Sequence, residues 1–343
     1  MQIYRSLKTL MRISRERKAD KVVLVTSAFL ARKLSWAIKE TKQLALPGFK
    51  VVLIPNGEKA KDWDVLRGLL AKFAKFRLTK RSLVIALGGG SVSDLVGFAC
   101  SIYKRAAILY INIPTTLLAQ VDASIGGKTA IDFEGYKNLV GSFYEPVAVF
   151  LVAGFLKSLS EEQFLDGMAE IIKAGLIKDP VILDVLDSCG MTELRKRPLL
   201  LEKLILRAIA VKEYFVKKDP KDNGARQALN VGHTIGHALE LKYELSHGRA
   251  VLLGMMQELL LVEQLGIKTS EAGHRLSKTL RCLGINLDHH QFVVDRRSIL
   301  HDKKIVGKEI ILPVVERVGK ARLVEVRLDK LMAAIKKCNQ KQL

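Results

Sequence analysis

The sequence predicts an α/β domain built on a parallel sheet over residues 1–154, followed by an all-α domain over residues 155–343. Three observations carry that prediction. In the first half, short β-rich apolar runs alternate with stretches whose apolar residues recur at helical spacing. Glycine- and threonine-rich loops stand directly after two of those runs. Beyond about Phe155 the β-rich runs give way to long helical patterns.

Lys21–Thr26, Lys50–Ile54, Ser82–Leu87 and Ala107–Ile113 read as buried strands. Lys59–Phe76 is apolar at helical spacing between the second and third, and a helix beginning near Ser93 continues through Gly97–Tyr103. Strands alternating with helices imply a right-handed parallel sheet that takes ligands at the carboxyl ends of its strands. In the second half, Glu161–Ile177, Leu199–Phe215, Val231–Leu241, Arg249–Leu265 and Leu328–Lys337 read as helices. The active site is expected in a cleft between the domains. The chain shows no internal repeat and no low-complexity segment.

With 49% apolar residues in 343, the chain has ample material for buried cores, and no run approaches the ~18–20 apolar residues of a membrane span. Met1–Arg17 is basic but lacks the apolar stretch of a secretory leader, so a cytoplasmic protein is expected. Cys100, Cys189, Cys282 and Cys338 form no Cys-x-x-Cys pair, which suits reduced thiols. The formal charge of +21 is spread along the chain and is accompanied by no nucleic-acid-binding motif. An even positive field can equally steer a small polyanion.

Gly88-Gly89-Gly90-Ser91-Val92-Ser93-Asp94 ends a strand and opens a helix. Such glycines let backbone amides approach a phosphate, and a helix amino terminus favours negative charge. The spacing is not G-x-G-x-x-G, and a tight turn without a ligand would use glycines too. Pro114-Thr115-Thr116, Asp122, Gly126-Gly127-Lys128-Thr129 and Lys137-Asn138 add hydroxyls, a carboxylate and cations after the next strand. In the helical half, Glu170 and Lys173 share one face of an apolar run, either as a buried ion pair or as part of a site. His233 and His237 are four apart on another helix, and His247 follows a short loop, with Gly232, Gly236 and Gly248 beside them. Two histidines and a carboxylate form the ligand set of a catalytic metal, though a helical histidine pair is often structural. Thr234 stands where a metalloprotease helix needs Glu. His274, His289, His290 and His301 sit in polar segments and read as surface residues.

The strings GEKAK (57–61), GGGSVSDLVGF (88–98), IPTTLLAQVDASIGGKTA (113–130), KNLVGSF (137–143), GMAEIIKAGLI (167–177), ARQALNVGHTIGHALE (225–240) and SHGRAV (246–251) together resemble the 3-dehydroquinate synthase family. The resemblance runs from about residue 55 to 310. It implies an NAD-binding α/β domain, a helical metal- and substrate-binding domain, and a cytoplasmic homodimer that binds neither nucleic acid nor membrane. The implied metal, zinc or cobalt, would be held by Glu170, His233 and His247. NAD would be contacted by Glu58, Lys61, Gly89, Gly90, Asp94, Thr115 and Thr116, with Lys128 and Lys137. Asp122, Lys128, Asn138, Lys173, Lys212, Arg226, Asn230 and His237 would line the pocket for 3-deoxy-D-arabino-heptulosonate 7-phosphate. Arg105 would enter a neighbouring subunit's phosphate site, and Lys303 and Lys304 would add a further phosphate contact.

Three positions depart from the family pattern. Ser27 stands where an aspartate often holds the adenosine ribose, Pro220 replaces an acidic residue, and Arg249 replaces the glutamate beyond a metal ligand. Two rival enzyme classes remain: other sugar-phosphate cyclases of the 2-deoxy-scyllo-inosose or valiolone synthase type, on the same scaffold, and iron-type alcohol or glycerol dehydrogenases, which share the GGGS-x-x-D turn. Retention of Lys212, Arg226, Asn230 and His237 favours a substrate with a carboxylate over the other cyclases. Leu95-Val96-Gly97 stands where the dehydrogenases carry a lysine.

Overall fold

The alternating first half forms a six-stranded parallel sheet in the computed structural model, which describes residues 2–287, 292–294 and 305–342. Its elements are β1 (Gln2–Tyr4), α1 (Thr9–Glu16), β2 (Val22–Ser27), α2 (Ala28–Lys33), α3 (Ser35–Gln43), β3 (Lys50–Ile54), α4 (Trp63–Lys75), β4 (Leu83–Gly88), α5 (Gly90–Ile102), β5 (Leu109–Pro114) and β8 (Ala148–Phe150). A separate antiparallel hairpin, β6 (Lys128–Phe133) and β7 (Tyr136–Phe143), precedes the last of these. Strand order is β1-β8-β5-β4-β2-β3, so the chain steps from β2 to β3 on one side and returns to β4 on the other. In such sheets ligands collect at the carboxyl ends where the order reverses.

All residues of β2 and β4 are buried, because helices cover both faces of the sheet. Val23, Val25, Val84 and Ala86 pack with Leu66, Leu69 and Phe73 of α4 and with Leu95 and Val96 of α5. Their neighbours Val22, Leu24, Leu83 and Ile85 pack with Leu10 and Ile13 of α1 and Ala37 of α3. The chain divides after Ser160, into Met1–Ser160 and Glu161–Leu343. Phe155, which follows the change of texture at 154, stacks on Trp36 within the core of the first unit.

The second unit comprises α6 (Glu161–Ile177), α7 (Val181–Leu186), α8 (Met191–Lys196), α9 (Pro198–Lys218), α10 (His233–Tyr243), α11 (His247–Gln264), α12 (Ser270–Cys282), β9 (Ile305–Val306), β10 (Glu309–Arg317), β11 (Lys320–Arg327) and α13 (Leu328–Gln342). It is predominantly helical, as expected. To the all-α expectation it adds a three-stranded antiparallel sheet, ordered β11-β10-β9. Ile310, Leu312 and Val314 alternate along β10 and enter a core shared with α10, α11 and α13. Among the described residues no helix is long and apolar enough to cross a membrane. Cys100, Cys189, Cys282 and Cys338 are free thiols.

Candidate active site

Three helices of the second unit converge on one buried carboxylate. Glu170, on α6, is 4% exposed. Its Oε1 lies 3.2 Å from His247 Nε2 and 3.6 Å from His233 Nε2, and its Oε2 meets the ammonium of Lys173 one turn further along. One ligand atom from each of Glu170, His233 and His247 falls within 4.8 Å of the others. Burial by itself would raise the Glu170 carboxyl, but Lys173 and His247 outweigh it and hold the group well below the usual glutamate range. Burial would likewise depress the His247 imidazolium, yet hydrogen bonds to Glu170 and Glu240 carry it up to about 10. An anionic carboxylate and two histidine rings on separate helices, with ligand atoms within 4.8 Å of one another, fit a divalent metal of the zinc type, which would take the place of the His247 proton. The expected helical histidine pair is split in this arrangement. His237 packs its ring edge-on against His233, with centroids 5.2 Å apart, and is not in the ligand cluster.

Four glycines allow these helices to approach. A Cβ on Gly254 of α11 would lie 2.0 Å from the Gly232 carbonyl oxygen, and one on Gly248 would lie 2.5 Å from Asp166 Cα. Gly236 of α10 faces Ala250 O at 3.0 Å on the same test, and Gly232 has φ +82°. Two carboxylates that drew no attention in the sequence bind the starts of these helices. Glu258, buried in α11, accepts from the Gly232 and Ile235 N–H groups at 2.6 and 3.1 Å. Asp166, on α6, accepts from the Gly248 N–H at 2.7 Å. The signal that could have found Glu258 is a single carboxylate inside the otherwise apolar run Leu259–Val262 and Val251–Met256. Glu240, 3.7 Å from His247 Nδ1, is a third such residue.

Two further site cations expected from the sequence, Lys212 and Arg226, are also buried. Lys212 lies within α9 and Arg226 within the short 3-10 turn Ala225–Asn230, which Asn230 ends. Asp219 receives the Asn223, Gly224 and Arg226 N–H groups, so the loop leading to Arg226 is closed on one carboxylate. Pro220, the departure beside it, offers its carbonyl to Arg226 Nη1 at 3.0 Å. Lys303, Lys304, His289, His290 and His301 lie outside the described residues. His274 is exposed, as expected.

In the first unit, Gly89 caps α5 without a side-chain bond, leaving the helix start to backbone alone. β4 and β5 end side by side, Gly88 opposite Pro114, and Thr115 donates its N–H to Gly88 O at 2.9 Å. A Cβ on Gly88 would meet Val92 at 2.4 Å, so the turn at the strand end must be glycine. The Thr115 hydroxyl is buried here with no hydrogen-bond partner among the described residues. An orphaned hydroxyl beside a glycine turn and a helix amino terminus fits a bound nucleotide's polar groups. Thr116 Oγ1 accepts from the Ala119 N–H and starts the π-helical turn Ala119–Ala123 that carries Asp122.

Lys61, 3% exposed, is the polar hub of this unit. Its ammonium meets Asp94 at 3.1 Å, Glu58 at 3.5 Å, Asp132 at 3.8 Å and the side-chain oxygen of Asn138. Burial would lower its proton affinity, but Asp94, Glu58 and Asp132 raise it above the ordinary lysine range, so it is a fixed cation. Asp132, unremarked in the sequence, also accepts the Asn138 N–H at 2.8 Å. Lys128 and Lys137 stand exposed on the β6–β7 hairpin. Ser27 ends β2, accepts from the Leu30 N–H and donates to Asn56 Oδ1, both at 3.1 Å, so this departure serves as the cap of α2. Arg105 is exposed on a run of three left-handed residues, Lys104, Arg105 and Ala106, and its guanidinium bonds to none of the described residues.

Comparison with known proteins gives a consistent likeness. Residues 51–166 match the family model for the 3-dehydroquinate synthase N-terminal domain, and residues 167–305 that for its C-terminal domain. A 3-dehydroquinate synthase of Pyrococcus furiosus is 36% identical over 341 residues, covering 97% of each chain. One from Clostridium kluyveri is 40% identical over 289 residues, 82% of this chain and 79% of its own. Among solved structures, 2-deoxy-scyllo-inosose synthase complexed with carbaglucose-6-phosphate, NAD+ and Co2+ superposes with a TM-score of 0.83 at 22% identity, over 98% of this chain and 96% of that one.

Proposed function

The chain belongs to the 3-dehydroquinate synthase family and is an enzyme of that activity; we propose that it converts 3-deoxy-D-arabino-heptulosonate 7-phosphate to 3-dehydroquinate and phosphate, the step that closes the carbocycle for aromatic amino acid synthesis, as a cytoplasmic homodimer. The observation that supports this most is the Glu170–His233–His247 set, centred on a buried carboxylate to which Lys173 is paired. A nucleic-acid-binding protein leaves the Glu170, His233 and His247 set without a purpose, and Leu95-Val96-Gly97 stands where a dehydrogenase carries a lysine.

Glu170, His233 and His247 would hold the metal, zinc or cobalt, which when bound supplies a Lewis acid for a pair of vicinal hydroxyls. The Gly88–Gly90 turn, Glu58, Lys61, Asp94, Thr115 and Thr116, with Lys128 and Lys137, would hold NAD, which supplies a hydride acceptor that is regenerated in each turnover. Lys212 and Arg226 would receive the substrate carboxylate, Arg226 as a planar fork already oriented by Pro220 O. Lys128, Asn138, Asn230 and His237 would receive the phosphate, joined by Arg105 from a second copy. Asp122 and Lys173 would touch the ring hydroxyls, with the Lys173 ammonium, paired to Glu170, placed to stabilise oxygen as it becomes negative. Phosphate then leaves as an anion that these cations already neutralise.

Phosphate release measured from the heptulosonate phosphate, with and without chelator, tests the reading. It is expected to require bound metal and to proceed without accumulation of NADH. Metal-independent release, or NADH building up in proportion to turnover, would reject it. Turnover of hexose 6-phosphates in place of the heptulosonate would instead favour the other cyclases.

A further inference from the structure

The three ligand-bearing helices are linked to one another by carboxylates that are not themselves ligands. Asp166 lies one turn before Glu170 on α6 and accepts the N–H of Gly248, the residue after His247 on α11. Glu258, on α11 itself, accepts the N–H groups of Gly232 and Ile235, which flank His233 at the start of α10. The order is therefore α6 to α11 to α10, each helix bonding the first turn of the next, where backbone N–H groups lack intrahelical partners. Neither of these helix starts has a capping bond from its own N-cap residue. The glycine contacts between α10 and α11 already fix their separation, with room for no Cβ at Gly254. What a packing contact cannot fix is the rotation and axial slip of each helix start. A small slip there would carry a histidine out of ligating distance of Glu170.

Resting on the metal reading above, we propose that Asp166 and Glu258 are positioning residues that hold His247 and His233 in register with Glu170 for a single divalent ion. They act through backbone N–H groups and touch neither metal nor substrate. Caps that served folding alone would affect stability and leave the ion's surroundings unchanged once the chain is folded.

The test uses full-length protein stripped of metal and reloaded with cobalt, read by competition with a chromophoric chelator and by the visible absorption of the bound ion. Glu258→Gln keeps the shape but sets an amide N–H against backbone N–H groups. It is expected to remain folded by circular dichroism, bind cobalt about 10–100-fold more weakly, and shift the cobalt absorption bands. Glu258→Asp, which keeps both acceptor oxygens, should recover part of the affinity and the spectrum. Asp166→Ala should weaken binding in the same range, and Glu271→Gln, on the exposed face of α12, should change neither readout. Folded Glu258→Gln and Asp166→Ala proteins with wild-type affinity and spectrum overturn the proposal, as does failure of both to fold, which would make them fold residues. His233→Ala separates the two levels. If that variant takes up cobalt as wild type does, the metal reading itself fails. If it loses cobalt while the two carboxylate variants do not, only the present inference falls.

Discussion

At the scale of single residues, Lys61 shows how one buried cation organises a site. Three carboxylates and an amide oxygen face its ammonium. With Lys61→Met those carboxylates would confront each other without a counter-charge, and at least one would take up a proton or swing away. NAD affinity, measured by calorimetry, should drop about tenfold to a hundredfold, the worth of a charge-assisted contact. Cobalt uptake at the histidine cluster of the other unit should stay unchanged and serves as the internal control. An unaltered NAD dissociation constant would remove Lys61 from the cofactor site. His233 and His247, whose chemistry is carried by their own side chains, and the Gly88–Gly90 turn, whose backbone approaches closely because it lacks them, were legible because type and spacing together are the signal. Asp132, Asp166, Glu240 and Glu258 were not. Asp166 and Glu258 bind groups 82 and 26 residues away, and no local pattern marks a carboxylate that will meet a distant N–H. Asp132 and Glu240 meet Asn138 and His247 close by in sequence, but across a hairpin turn and an interhelical loop rather than at a helical spacing.

At the scale of elements, most strands and helices followed from periodicity. α11 and α10 begin at the histidines themselves, two residues from the predicted helix starts at Arg249 and Val231, where caps contributed from other helices fix the ends. The β6–β7 hairpin was hidden inside strings read for their polar residues, although Glu134-Gly135, both with positive φ, makes the two-residue turn such a hairpin needs. The β9–β11 sheet escaped because Pro313 interrupts the apolar run of β10, and proline argues against a central strand. Between α7 and α12 the deciding contact is ionic. Asp187 accepts from Thr279 Oγ1 at 2.7 Å and pairs with Arg275 at 2.8 Å and Lys278 at 2.9 Å. Burial would raise its carboxyl, but Lys278, Thr279 and Arg275 hold it below the ordinary aspartate value of 3.8. The folded state thus binds this proton less readily than the unfolded chain, so the contribution is complete above about pH 4–5 and disappears as pH falls through the lowered value. Asp187→Ala should lower stability by about 1.5–3 kcal/mol at pH 7 by urea unfolding, with a smaller loss near pH 3. An equal loss at both pH values would mean that packing, not charge, joins these helices.

At the scale of the whole molecule, the excess of cations suits an enzyme that must gather a polyanion. Positive charge of +21 raises the local concentration of small anions near the chain and speeds their capture, an effect that salt screens. Capture still leaves the problem of removing about three negative charges from water, which demands several converging cations. In the proposed site one chain would offer Lys128, Lys212 and Arg226. Arg105 offers something different. It sits on three successive left-handed non-glycine residues, a conformation costing roughly 1 kcal/mol or more at each, held from behind by Tyr144, whose hydroxyl donates toward Ala106 O and Ile108 O at 3.1 and 2.8 Å. A backbone strained into presenting an arginine that bonds to none of the described residues suits a residue used by another copy of the chain. Arg105→Ala should therefore leave fold, dimer and NAD binding intact and lower kcat/KM about tenfold to a hundredfold, the loss of one charge-assisted phosphate contact. The decisive measurement mixes Arg105→Ala chains with His233→Ala chains. In a mixed dimer the His233→Ala chain, inactive by itself, still donates its Arg105 to a partner whose ligand set is intact. Activity should rise above that of the Arg105→Ala homodimer, in step with subunit exchange followed by a mass-tagged chain. Full exchange with no recovery would confine Arg105 to its own chain and leave the phosphate to Lys128 and its neighbours.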